Sequence, residues 1–326
     1  MPTLQRRAGR KTRKPRGRPN VASPRDRVVA VPATSPRTPR PVLLATDGSR
    51  PASAAIKLAH RMARLGEWAP ELLTVMEPLP VSVGEMVLPA PPAQYQIAAQ
   101  DSILLAIRRQ LDAYGDRSWK LSTDFGRVVP AIVRAAHEMK AELILIGLGQ
   151  HSRLARLFGA ETAARLARHT DIPILAVHPR AKRLPGVALA AVDFSDSSVR
   201  AAREALALLE PPGRLHLVHV KWSYNTTSFA DSEWERAYTV GAEDEFARLR
   251  AKIGERQGIS ITTGLLTGNV IENVLDEAKS IRASVIALGS HSQNVFDRLM
   301  IGSTPAQVLR AASCSVLIAP PADAHA

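Results

Sequence analysis

A single cysteine, Cys314, stands among 326 residues. One thiol forms no internal disulfide and builds no Cys-rich zinc site. That fits a reducing compartment, so a cytoplasmic protein is expected. Aromatic residues are scarce, at 4%, so any core is built mostly from Ala, Leu, Val and Ile. No apolar run approaches the roughly 18 residues needed to cross a bilayer, which argues against an integral membrane protein. Acids are nearly missing from one stretch: residues 1–40 hold twelve Lys or Arg and one acid, Asp26. That stretch carries +11 of the chain's net +13, and the other 286 residues are close to neutral. The basic character therefore belongs to a segment and not to the globular part.

Residues 1–40 are rich in Pro and Arg, with sparse, aperiodic apolar residues. Such a segment buries too little apolar surface to offset its ordering entropy, and disorder is expected. Val28 to Val31 is too short for the apolar core of a secretory signal. An Arg-rich organellar transit peptide stays open. Within the tail, Arg16-Gly17-Arg18-Pro19 resembles the AT-hook, a minor-groove DNA-binding motif. Glycine keeps the backbone thin on the groove floor, and the flanking arginines reach the negative potential of A·T-rich DNA. The alternative is an Arg/Pro-rich leader of biased composition, in which so short a match arises by chance.

The remainder repeats itself. Pro41 to Ser49 (PVLLATDGS) parallels Val187 to Ser195 (VALAAVDFS). Glu71–Val75 parallels His216–Val220, Leu143–Gly147 parallels Val285–Gly289, and Pro173–Val177 parallels Ser315–Ala319. A near-constant offset over four apolar runs indicates duplication. Ala-rich helical stretches, Ala52–Leu65 and Ser198–Leu209, follow the first run of each copy. Ile97, Leu104, Ile107, Leu111 and Tyr114 keep helical spacing, as do Trp234, Tyr238, Ala242, Phe246, Leu249 and Ile253. Third strands are predicted at Lys120–Phe125 and Ile259–Leu265, with helices at Val129–Met139 and Val270–Lys279. Continuous apolar strands alternating with helices predict a parallel sheet covered on both faces. The domains are expected at 41–180 and 186–320.

Thr46-Asp47-Gly48-Ser49, Leu217 to Val220, and Gly289 followed by Gly302-Ser303-Thr304 and Val308 resemble the universal stress protein family, as a tandem pair over nearly all of 41–320. The resemblance implies an α/β, flavodoxin-like fold (the adenine-nucleotide alpha-hydrolase type) with five parallel strands and helices on both faces. It also implies pairing of two domains through their last strands, here within one chain. Association into a homodimer stays open.

Open parallel sheets bind ligands outside the carboxyl ends of their strands. A helix N-terminus there suits phosphate. The family's ATP-binding members carry Gly, two residues, Gly, nine residues, then Gly-Ser or Gly-Thr. The second copy keeps that spacing, with Ser292 at the second glycine. The resemblance thus implies that Asp193 holds the adenosine end of ATP, with or without Mg²⁺. Val220 would line the base pocket, and Gly289, His291, Ser292, Gly302, Ser303 and Thr304 would surround the phosphates. The alternative is a plain strand-end glycine at Gly289 and a plain helix cap at Ser303. The first copy retains Asp47, Val75 and Gly147, but has Gln150 at the second glycine and Ala160-Glu161 where Gly-Ser would stand. A carboxylate in that first turn repels phosphate, so the first site is expected to be empty or to bind something other than ATP.

The alternative role for Asp47 and Asp193 is to cap the turns that follow them. His216 and His219 lie three apart on a strand, on opposite faces, and form no compact metal pair. A packed strand residue is expected at His219, and a buried, inert thiol at Cys314. No Ser-His-Asp arrangement, GxxxxGK[ST] loop or metal-spaced cluster is found. The expected protein is a non-catalytic, nucleotide-binding stress-response regulator, with slow ATP hydrolysis left open. The alternative is a ligand-free interaction scaffold, and either form is compatible with a tail that tethers it to DNA.

Overall fold

Strands that are apolar at every position cannot lie with one face in water, so each must be covered from both sides. A computed structural model of the chain shows how. It describes residues 38–49, 52–77, 81–83, 86–88, 93–114, 119–149, 159–221, 230–290 and 303–321, all within the unit Thr38–Ala326. The tail, with Arg16, Gly17 and Arg18, lies outside the described residues.

The first copy runs β1 (Arg40–Ala45), α1 (Ser53–Arg64), β2 (Trp68–Met76), a hairpin of β3 (Val81–Val83) and β4 (Met86–Leu88), then α2 (Ala93–Asp112) and β5 (Leu121–Phe125). It closes with α3 (Val128–Glu138), β6 (Leu143–Gly147), α4 (Ala160–His169) and β7 (Ile174–Val177). The second copy repeats the plan as β8 (Val187–Ala191), α5 (Asp196–Leu208), β9 (Gly213–Lys221), α6 (Ala230–Ile253) and β10 (Ile259–Thr267). It ends with α7 (Val270–Ser280), β11 (Val285–Gly289), α8 (Ser303–Ala311) and β12 (Ser315–Ala319).

Ten strands form one sheet in the order β10-β9-β8-β11-β12-β7-β6-β1-β2-β5. Every pairing is parallel except the seam between β12 and β7, where Leu317 faces Leu175 and Ile318 faces Ile174 in antiparallel register. The expected pairing through the last strands is thus made within the chain. The helices fall into two layers. Residues of α1, α5 and α6 share one buried cluster with Leu175 and Leu317, while α3, α4, α7 and α8 share the other with Ile174 and Ile318. Both clusters run across the seam. Ion pairs also bridge the copies, from Arg40 to Glu204 (2.8 Å) and from Arg256 to Glu67 (2.9 Å).

The expected helical spacing is met by α2 and α6, but neither apolar stripe is buried along its whole length. Ile97 keeps the helical period of α2 but is 57% exposed, whereas Ile107 and Leu111 are buried. The period outlasts the core: near its start α2 meets the sheet through Gln100, whose Nε2 donates to Thr123 Oγ1 (3.2 Å). Trp234, at the start of the matching stripe on α6, is likewise 50% exposed, while Phe246 and Leu249 are buried.

Candidate functional site

In each half of the sheet the strand order reverses at the first strand, which sits between the second and the fourth. Such switch points open a crevice at the carboxyl ends of the strands. In the second copy the crevice is a cleft of about 170 Å³ where the ends of β8, β9 and β11 meet the start of α8. That volume lies below the roughly 300–1,000 Å³ of typical ligand pockets, so it suits part of a ligand. Asp193, Val220, Gly289 and Thr304 all line it, with Pro305 in the first turn of α8. Four of the predicted residues, from β9, β11, α8 and the loop after β8, are thus brought together. Ser303 opens α8, and His291, Ser292 and Gly302 lie outside the described residues.

Two of these residues also have local work. Asp193 Oδ1 accepts from the Ser195 backbone N–H (3.1 Å) and from the Ser195 hydroxyl (2.6 Å). Ser195 in turn caps α5, accepting from the Ser198 N–H (3.3 Å). The glycine at 289 is required by packing. A Cβ there would meet Ser197 Oγ at 2.5 Å and Ser198 N at 2.8 Å. The chain between Asp193 and Ser195 turns through Phe194 in the left-handed region (φ 63°), where the first copy has Gly48 (φ 69°). Phe194 is held there by its ring contacts with His219 (4.8 Å) and Phe246 (5.3 Å).

His219 is a packed strand residue, as expected, but it also lines the cleft, which its position in an apolar strand did not reveal. Its Nδ1 lies 2.7 Å from Val192 O and its Nε2 2.8 Å from the Tyr238 hydroxyl. A carbonyl only accepts, so Nδ1 carries the proton, and in the neutral ring Nε2 accepts from Tyr238. The imidazole is thereby locked as a wall of the cleft.

The first copy differs at each point. Asp47 Oδ1 accepts from the Ser49 N–H (2.9 Å), a turn cap like that of Asp193. Gly147 is again a packing glycine, with Ala52 Cα 2.8 Å from where a Cβ would stand. Val75 and Gly147 are buried, whereas Val220 and Gly289 are half-buried and face their cleft. Gln110 of α2 donates through Nε2 to Gly48 O (2.7 Å), so α2 leans on the Asp47 turn. Helix α4 starts after Gly159 with Glu161 in its first turn. Gln150 lies outside the described residues.

Elsewhere, His216 lies 3.4 Å from Glu277 and 2.8 Å from Thr262 Oγ1. Burial pushes its imidazole down, against the opposing pull of Glu277. Burial also pushes the Cys314 thiol up to about 11, so it stays protonated and weakly nucleophilic near neutral pH. Among the described residues, no cluster of three or more His, Cys, Asp or Glu is placed to hold a metal. No described helix is long and apolar enough to cross a membrane.

Comparison with known proteins places these features in a family. The model of the universal stress protein family matches residues 39–178 and again residues 187–320. A universal stress protein of Mycolicibacterium smegmatis is 22% identical over 293 residues, covering 86% of this chain and 97% of that protein. Among solved structures, a universal stress protein from Archaeoglobus fulgidus superposes with a TM-score of 0.59 at 18% identity, covering 87% of this chain and 97% of that one. A universal stress protein from Pseudomonas aeruginosa gives a TM-score of 0.58 at 16% identity, covering 87% and 94%. At these identities the structures are similar in fold alone.

Proposed function

Since the chain belongs to the universal stress protein family and carries two of its domains in tandem, we propose that it is a non-catalytic regulator that binds an adenine nucleotide in the second copy only. The observation that carries this reading is the gathering of Asp193, Val220, Gly289 and Thr304 around one strand-end cleft. The first-turn N–H groups of α8 have no partners within the helix, which suits an anion at that point. Asp193, which also lines the cleft, is a carboxylate suited to ribose hydroxyls. In the first copy the corresponding Val75 and Gly147 are buried, and Glu161 stands in the first turn of α4. His219 is engaged with Val192 O and Tyr238, and the Cys314 thiol is protonated. Neither is poised as a base or nucleophile. Slow ATP hydrolysis stays compatible with the reading, provided water is activated without them.

The test is thermal unfolding of the full chain with ATP and Mg²⁺. A ligand at about 100 times its Kd stabilises the folded state by about 2.7 kcal/mol, which raises Tm by several degrees. Val220→Phe, which fills the cleft, removes the rise. No rise at millimolar ATP overturns the proposal.

A ligand-free scaffold is the second reading. It is favoured by the turn that Asp193 caps and the helix approach that Gly289 permits, since both residues have structural reasons to be there. Either reading accommodates a DNA tether in the tail. In that case, deleting residues 1–40 abolishes binding to A·T-rich duplex, and full-length binding weakens steeply with salt. Unchanged binding after the deletion rules the tether out.

A further inference from the structure

The twofold relation between the copies is broken beside the seam. On one side of the seam, Arg200 of α5 donates through one guanidinium nitrogen to Asp171 O (2.7 Å) and Pro320 O (3.0 Å). It closes the gap between the strand leading into β7 and the chain leaving β12. The duplication maps Arg200 onto Ala54, and Glu204, one turn further along α5, onto Leu58. It maps Asp171 onto Ser313 and Pro320 onto His178. On the other side of the seam, therefore, the side chain that would bridge His178 and Ser313 is a methyl group.

A cavity of about 310 Å³ opens there, and Leu58, His178 and Ser313 all line it. The link between the copies, Pro179–Pro185, runs along this cavity and brings Arg180, Lys182 and Arg183 to its wall. Arg282, in the turn after α7, supplies a fourth cation. Among the described residues, no acidic residue lines the cavity. Among the described residues, none of the four cations has a carboxylate within ion-pair distance. His178 is engaged on both sides: its N–H donates to Ser315 Oγ (3.1 Å), and its Nδ1 accepts from the Arg180 N–H (3.2 Å). It therefore fixes the wall and does not itself meet a ligand through Nδ1.

Four like charges around one concavity repel one another and raise the local positive potential. Guanidinium forks match phosphate oxygens in geometry as well as charge. We propose that this cavity at the junction of the copies is an anion site, taking a compact phosphate-bearing ligand through Arg180, Lys182, Arg183 and Arg282. It lies by the amino ends of β11 and β12, away from the strand-end cleft of the second copy, and does not depend on nucleotide binding there. The ligand bridges the link to α7, so its binding reports on the junction and not on either copy alone.

The experiment uses the full-length chain and inorganic pyrophosphate as the probe, in calorimetric titration at about physiological ionic strength. Arg180→Gln with Arg183→Gln removes two exposed cations without touching the core. It weakens binding by about tenfold or more, the factor that losing a charge-assisted hydrogen bond gives. Ala54→Arg, which supplies the missing bridge, abolishes it; should that variant misfold, the paired glutamine variant carries the test. Cys314 lines the cavity and is the chain's one cysteine, so its reaction rate with a thiol reagent at alkaline pH reports this site directly. Saturating pyrophosphate slows that reaction in the parent chain and in Val220→Phe, but not in the paired glutamine variant. A failure of ATP to bind leaves these results in place. Unchanged pyrophosphate affinity in the paired variant, an unprotected Cys314, or a short DNA duplex binding where pyrophosphate does not, overturns the proposal.

Discussion

Gly289→Ala is expected to destabilise the protein by about 1–3 kcal/mol, the usual cost of forcing atoms into a packed site, with no ligand present. The new methyl carbon would stand 2.5 Å from Ser197 Oγ and 2.8 Å from Ser198 N. The hydroxyl can rotate, but the backbone nitrogen opens a helix that is buried at Ser197, Ser198 and Val199. Helix α5 has to withdraw from the end of β11. Gly147→Ala meets the same obstacle in Ala52 Cα at 2.8 Å, and a similar loss is expected. Urea unfolding measures both, and a shifted midpoint with an unchanged slope marks a loss of stability alone. If these glycines served only to let phosphate approach, the unliganded midpoints would not move.

Leu317→Asp is expected to cost more than about 4 kcal/mol, because it buries an unpaired carboxylate or forces a carboxyl to stay protonated in an apolar site. Leu317 has no exposed surface and faces Leu175 across the antiparallel seam. The milder Leu317→Ala leaves a cavity and costs about 2–5 kcal/mol. The informative quantity is the shape of the melt. Both buried clusters cross the seam, so Leu317→Ala lowers one shared transition and does not release one copy from the other. Two separated transitions in calorimetry, one at the parent temperature, would show that the copies fold independently.

How far the sequence announced this architecture depends on the element. The inner strands β6 and β11 are apolar throughout, as is β12 after Ser315, and such runs are legible without any partner. Strand β2 is longer than its apolar stretch. Trp68, Ala69, Pro70 and Glu71 carry weak strand signals, yet they pair with Arg40 to Leu43. That extension comes from the neighbouring strand, which no local pattern records. The β3–β4 hairpin lies in a proline-rich stretch, and its strands of three residues each are too short to carry a periodic signal. At the cleft, Asp193 and Val220 were legible because strand-end residues of a parallel sheet converge. The reason for a glycine at 289 was not, since Ser197 is its neighbour in space and not in sequence. The double role of His219 depends on Tyr238, nineteen positions away on α6. Nor did spacing show that Arg200 spans two carbonyls, one on each copy.

The seam has a consequence for how the molecule responds to dilution. Two separate subunits meeting through their last strands would drift apart as concentration falls, and every substitution in one would appear in the other. Here the short tether from Pro179 to Pro185 holds the partners at an effective concentration in the millimolar range. Their one-to-one ratio is therefore kept at any abundance in solution. Each half is also free to diverge without imposing the change on its mate, and Arg200 opposite Ala54 is one such divergence.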